Sequence, residues 1–175
     1  MNSITSISSL IKNNSIITNL IRNHNFISPS ISSNSFQYIK SSLIVDGWNL
    51  DRAVLLNNSA AWGFPMPYPN GNQCVCLQGA NTLSQNVSLT SGVNYTLLFK
   101  ACGRPSTSSN IITIELLKNN NLFSTIVSNL TTPTSWKIYM YNFTVNESNI
   151  FTFRIRGTII LDRSTAFQNI ILRQS

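Results

Sequence analysis

Leu83-Ser84-Gln85-Asn86-Val87-Ser88-Leu89 alternates without a break. Leu83, Gln85, Val87 and Leu89 fall on one side, Ser84, Asn86 and Ser88 on the other. A period of two marks an extended strand with one face on a core and the other in water. The same rhythm recurs in both directions. In 95–101, Tyr95, Leu97, Phe99 and Ala101 share a side. In 111–117, Ile112, Ile114 and Leu116 stand against Thr113 and Glu115. In 151–156, Phe151, Phe153 and Ile155 stand against Thr152, Arg154 and Arg156. Turn residues separate these runs: Asn70-Gly71, Ser91-Gly92, Asn119-Asn120-Asn121, Thr132-Pro133 and Asn146 to Asn149. About nine short strands so spaced predict an all-β, antiparallel β-sandwich. Its length of 175 residues suits one domain that buries most of its apolar surface.

Residues 1–23 follow another rhythm. Ile4, Ile7 and Ile11, then Ile17, Leu20 and Ile21, recur at steps of three and four, as on one side of a helix. Ser and Asn between them are poor helix formers, so the stripe needs a surface to lie on. The expected division is an N-terminal arm or short helix over 1–23 and a sandwich over 24–175. The opening residues lack the charged and continuous apolar regions of a secretory signal. No apolar run approaches the length of a membrane-spanning helix.

Charged residues are only 10% of the chain, and twelve Lys+Arg against five Asp+Glu give a net charge of +7. Such a protein is drawn to polyanions. Its cations are scattered from Lys12 to Arg173, with Arg154 and Arg156 the one close pair on a strand. Without a basic run or a recognisable module, nucleic acid is not an expected partner. The composition is rich in Asn, Ser and Ile, as AT-rich coding produces. Seven Asn-x-Ser/Thr sequons are close to the number such a composition gives by chance.

Several phrases, in order over 22–175, resemble one family. Asn23-His24-Asn25-Phe26 with Pro29 is similar to the "NGSFE-x-P" opening of jelly-roll carbohydrate-binding modules of the galactose-binding-like superfamily. Gly47-Trp48 resembles their "gW", and 70–79 their "dGnqavfLqg". Residues 83–89 resemble "isQtvtL" and 92–99 "G-x-YtLsF". Trp136 with Phe143-Thr144-Val145 resembles "W-x-x-y…Ftv", and 162–172 the closing "DkTafiDNVsL". The resemblance implies a galactose-binding-like jelly roll. It also implies a structural Ca²⁺ held by carboxylates, but Ile27 and Gln168 stand where the family has Glu and Asp. No cofactor and no metal are therefore expected.

Sugar recognition pairs aromatic faces with amide, carboxylate or guanidinium groups. The segment 62–71 carries three prolines, so its loop is stiff. Trp62, Phe64 and Tyr68 on it are the first candidates for a glycan surface, or else they cap an open end of the sandwich. Tyr139 and Tyr141, with Phe143, share one face of 136–145 and line a groove if that face is outward; Trp136, Ile138 and Met140 share the other. Trp48, Trp136 and Phe143 are expected in the core. Arg104 sits at a strand end, placed to meet a ligand or to pair with Asp162. Arg154 and Arg156 read as a solvated face, or as two cations for an acidic glycan or a neighbouring subunit.

Enzyme readings find no footing. Glycoside hydrolysis wants two carboxylates in one cleft, and the five acids share no motif. A Ser or Cys nucleophile wants a histidine base, and His24 is the only histidine. Cys74, Cys76 and Cys102 are read as buried thiols of a reducing compartment. A bridge from Cys102 to Cys74 or Cys76 stays open, and a zinc site lacks suitable ligand spacing. The leading expectation is a non-catalytic structural or attachment protein: a minor capsid or surface component of a large DNA virus or phage, assembled in the host cytoplasm. Its partners are then other virion proteins, with homo-oligomers allowed. The second expectation is a lectin-like module that binds polysaccharide.

Overall fold

The alternating segments become strands because each can bury one row of side chains while its backbone pairs on both sides. The structure, a computed structural model, describes residues 18–39, 45–69, 71, 73–105, 111–160 and 163–175. In chain order the strands are β1 (Ser35–Tyr38), β2 (Asn49–Leu50), β3 (Ala53–Asn57), β4 (Gln73–Gln78), β5 (Thr82–Leu89), β6 (Asn94–Gly103), β7 (Ile111–Lys118), β8 (Asn121–Thr131), β9 (Lys137–Thr144), β10 (Asn149–Gly157) and β11 (Ser164–Gln174). They form a six-stranded sheet, β1-β3-β4-β11-β6-β9, and a five-stranded sheet, β2-β5-β10-β7-β8. Every pairing is antiparallel. This is the jelly-roll sandwich that the sequence predicts.

The main core lies between the sheets. Leu83, Val87 and Leu89 of β5, Phe151, Phe153 and Ile155 of β10, and Ile112, Ile114 and Leu116 of β7 meet Leu55, Val75, Leu97, Phe99 and Phe167 of the opposite sheet. The inward rows are those read from the alternation. β7 and β8 join through Asn119-Asn120, both at positive φ (49° and 64°). Two such residues match the twist of a hairpin, and Asn adopts that conformation at little cost.

Of the arm expected over 1–23, residues 1–17 lie outside the described residues. From Asn19 on, the chain is pinned to β11. Leu20 N–H donates to Leu172 O at 2.7 Å, and Asn19 Oδ1 accepts from Leu172 N–H at 2.9 Å. Ile21 is buried in the main core. No helix among the described residues is long and apolar enough to cross a membrane.

A second apolar layer lies on the outer side of the six-stranded sheet. Val54 and Leu56 of β3, Cys74 and Cys76 of β4, Cys102 of β6 and Ala166 of β11 point away from the main core, yet all are buried. Residues 58–69 cover them. Trp62, in a short 3-10 turn (Ala60–Trp62), packs down with Phe64 and Tyr68. Gly63 ends that turn at φ +70°, its N–H donating to Ala60 O. Tyr68 Oη donates to Ser59 O at 3.2 Å, and Trp136 Nε1 donates to Pro65 O at 3.0 Å.

Candidate functional site

The outer face of the five-stranded sheet is polar where the inner face is greasy. Register sets Asn86 opposite Thr152 and Ser84 opposite Arg154, so β5 and β10 lay two amide or hydroxyl groups beside a hydroxyl and a guanidinium. Thr152 Oγ1 donates to Asn86 Oδ1 at 3.0 Å. Asn120 of the β7–β8 turn closes one end. Arg22, the Val45–Trp48 turn and Asn49 close the other. The result is a groove of about 610 Å³, inside the usual range of roughly 300–1,000 Å³ for small-ligand sites.

Its walls are fixed in advance. Arg154 donates to Glu115 Oε2 through Nε (3.0 Å) and Nη2 (2.6 Å), and Arg156 Nε donates to Glu115 Oε1 at 3.0 Å. Charge-assisted bonds of this kind hold geometry well. One carboxylate serves two guanidiniums, so the trio keeps a net positive charge. The expected solvated face is thus a clamp over a buried Glu115. At the other end, Gln85 binds the Arg22 backbone on both sides: Arg22 N–H donates to its Oε1 (2.7 Å), and its Nε2 donates to Arg22 O (3.2 Å). Gly47 has φ +78°, and a Cβ there would stand 2.9 Å from Arg22 Cβ. Trp48 Nε1 donates to Asn23 O, and its ring packs on Phe26 with centroids 5.2 Å apart.

The residues singled out in the sequence fall elsewhere. Trp62, Phe64 and Tyr68 are 4%, 3% and 3% exposed. Their faces are spent covering the outer side of the six-stranded sheet, so they neither stack on a free ligand nor cap an open end. Tyr139 and Tyr141 face inward. Both rings stack on Phe99, at 5.2 and 6.2 Å, and burial raises both phenols. Their outward groove does not form. Trp48 joins the core, Phe143 is half-buried on Tyr95, and Trp136 packs on the lid rather than between the sheets. Arg104 lies with its guanidinium 4.6 Å over the Trp62 ring. Asp162, its expected partner, lies outside the described residues.

The three cysteines are free thiols. β11 runs between β4 and β6, and Ala166 pairs with both Cys76 and Cys102. Two strand spacings, roughly 9.5 Å, separate those Cα atoms, beyond the ~7 Å limit for a disulfide. Burial, and then the neighbouring Cys76 and Cys102, hold the Cys74 thiol well above its ordinary value. Burial pushes Cys102 up to about 12. A native sample at pH 8 should therefore not react with an aromatic disulfide reagent over minutes, and should release three thiols once unfolded. Above the unfolded value of 9.0, the folded chain keeps protons that the unfolded chain loses. Stability then falls as pH rises from about 9. A melting temperature flat from pH 8 to 11 would contradict this.

The calcium implied by the resemblance does not fit this chain. Gln168, fully buried, donates through Nε2 to Gly71 O (3.3 Å) and Gln73 O (2.8 Å). Gln73 Nε2 donates to Phe26 O and to Pro29 O (2.7 Å). Two neutral amides thus supply N–H groups to four backbone carbonyls. Ile27 is exposed and brings no oxygen. No group of three or more His, Cys, Asp or Glu among the described residues is placed to hold a metal ion.

A family model described as "Protein of unknown function (DUF642)" matches residues 19–164. No curated protein sequence matches the chain. Solved structures with the same sandwich include a family 4 carbohydrate-binding module ("CBM4 structure and function"), with 13% identity, TM-score 0.56, and 89% of this chain and 99% of that one covered. The CBM22-1 xylan-binding domain of Xyn10C from Paenibacillus barcinonensis has 10% identity and TM-score 0.53, covering 86% of this chain and 91% of that one. The enzymatically active domain of tailspike protein 4 of bacteriophage CBA120 has 14% identity and TM-score 0.59, covering 90% of this chain but 21% of that one. At these identities the likeness is one of fold.

Proposed function

This chain belongs to the DUF642 family, and on the carbohydrate-binding-module sandwich that it adopts we propose that it is a non-catalytic, polysaccharide-binding module. The groove on the five-stranded sheet carries the reading. Asn49, Ser84, Asn86, Asn120 and Thr152 present the amides and hydroxyls that pair with sugar hydroxyls, and Trp48 backs one end. Arg22 and Arg154 add cations, and among the described residues no carboxylate is on the groove's walls. That balance favours acidic sugars over neutral ones. The shared fold is that of modules such as the xylan-binding domain. The capsid or attachment reading leans only on the tailspike domain, which shares the fold and nothing finer.

The test is binding of the purified protein to a glycan array that includes xylohexaose, β-1,4-galactotriose and an oligogalacturonate. The wild type should bind at least one probe, with acidic glycans ahead. Asn49→Ala combined with Asn86→Ala removes two exposed amides. It should weaken binding about tenfold or more, at roughly 1 kcal/mol for each lost hydrogen bond. A wild type that binds no probe, or a double variant that binds as the wild type does, would overturn the reading.

A further inference from the structure

Phe36 and Tyr38 are the exposed aromatic side chains among the described residues, at 42% and 51%. Both sit on β1, the edge strand of the six-stranded sheet, two residues apart and hence on one face. Register places them opposite Leu56 and Val54, which belong to the outer layer, so both rings point away from the main core. They meet edge to face at 5.8 Å, and each rests on the buried Trp62 ring, at 6.0 and 6.1 Å. Arg104 lies over the same indole. A recess of about 440 Å³ opens beside Phe36, with Asn34, Asn58 and Met66 on its walls.

Exposed rings on an edge strand invite aggregation, and proteins usually blunt such edges with charge or proline. Here the rings are instead propped by a rigid tryptophan and flanked by a guanidinium and two amides. Aromatic faces beside such donors suit the apolar C–H face and the hydroxyls of a pyranose. We propose that this ridge is a second saccharide-contact surface, so that one domain bridges two polysaccharide chains. The inference rests on the polysaccharide reading above. The groove lies on the outer face of one sheet and the ridge on the outer face of the other. Outer faces of the two sheets of a sandwich point in opposite directions, so the groove and the ridge can each hold a separate chain.

The test uses beads coated with the glycan that binds best on the array, with the mass of the protein in solution checked by light scattering. The wild type should agglutinate the beads. Phe36→Leu with Tyr38→Leu keeps apolar bulk and removes the ring faces. This variant should still bind free glycan through the groove, within about twofold of the wild type, yet lose agglutination. Asn49→Ala with Asn86→Ala should also lose agglutination, through the other face. Agglutination unchanged in the ridge variant would overturn the second surface and leave the groove standing. So would a wild type that binds glycan and never agglutinates. A wild type that binds no glycan removes both readings together.

Discussion

Gln73→Ala should lower the unfolding free energy by about 3–5 kcal/mol, a large share of the ~5–15 kcal/mol that holds a domain of this kind. The side chain is buried and makes three bonds to one segment of backbone. Its Oε1 accepts from Ile31 N–H at 3.1 Å, and its Nε2 donates to Phe26 O and Pro29 O. Alanine leaves three backbone groups without partners, at roughly 1–3 kcal/mol for each that stays shielded from water. The segment between Phe26 and Ile31 then loses its attachment to β4, and Phe26 with it, although that ring is fully buried against Trp48. Chemical denaturation measures the loss. Adding calcium or a chelator to the wild type should leave its midpoint unchanged, since glutamine N–H groups already occupy the carbonyls. A loss below 1 kcal/mol, or a midpoint that moves with calcium, would show that the amides are not the staple.

Trp62→Ala should cost a similar amount, about 3–5 kcal/mol, the range for truncating a buried aromatic to alanine. The indole touches Phe36 and Tyr38 on one side and the cysteine layer on the other. Its removal opens a path to Cys74, Cys76 and Cys102, so a thiol reagent should label the variant in minutes where the wild type resists. Trp62→Phe should restore much of the stability. If Trp62→Ala melts like the wild type and its thiols stay silent, the lid is not a packed layer. The indole has no free face to offer a glycan, so any loss of binding in this variant comes through the packing it supports, the Phe36–Tyr38 ridge included.

Alternation made the strands legible. Thr82–Leu89, Ile111–Lys118 and Asn149–Gly157 fall where the period of two puts them, with the inward rows as read. β1 and β2 escaped because four and two residues are too short for a period to show. The direction of the loop rings was not legible, since proline announces stiffness and not which way a side chain turns. A signal was present elsewhere. Ala53-Val54-Leu55-Leu56 and Cys74-Val75-Cys76-Leu77 are apolar on both faces, and strands of that kind need cover on both sides. That cover is the 58–69 segment. Glu115 shows the converse: it sits on the polar row of its strand as read, yet two arginines from β10 bury it. Such a clamp depends on which strands become neighbours, and periodicity within one strand carries no information about that.

β11 lies in the middle of the six-stranded sheet, between β4 and β6, although it comes after every other strand of the sandwich in chain order. Until it arrives, the two partners that flank it expose their pairing edges, and Asn19 and Leu20 have nothing to grip. Folding must therefore wait for the whole domain to be synthesised. It then has to zip a late strand into a gap whose walls were made some 60 to 90 residues earlier. Pairings so distant in sequence fold slowly, and the waiting chain is the form in which this protein is most exposed to aggregation inside the cell that makes it.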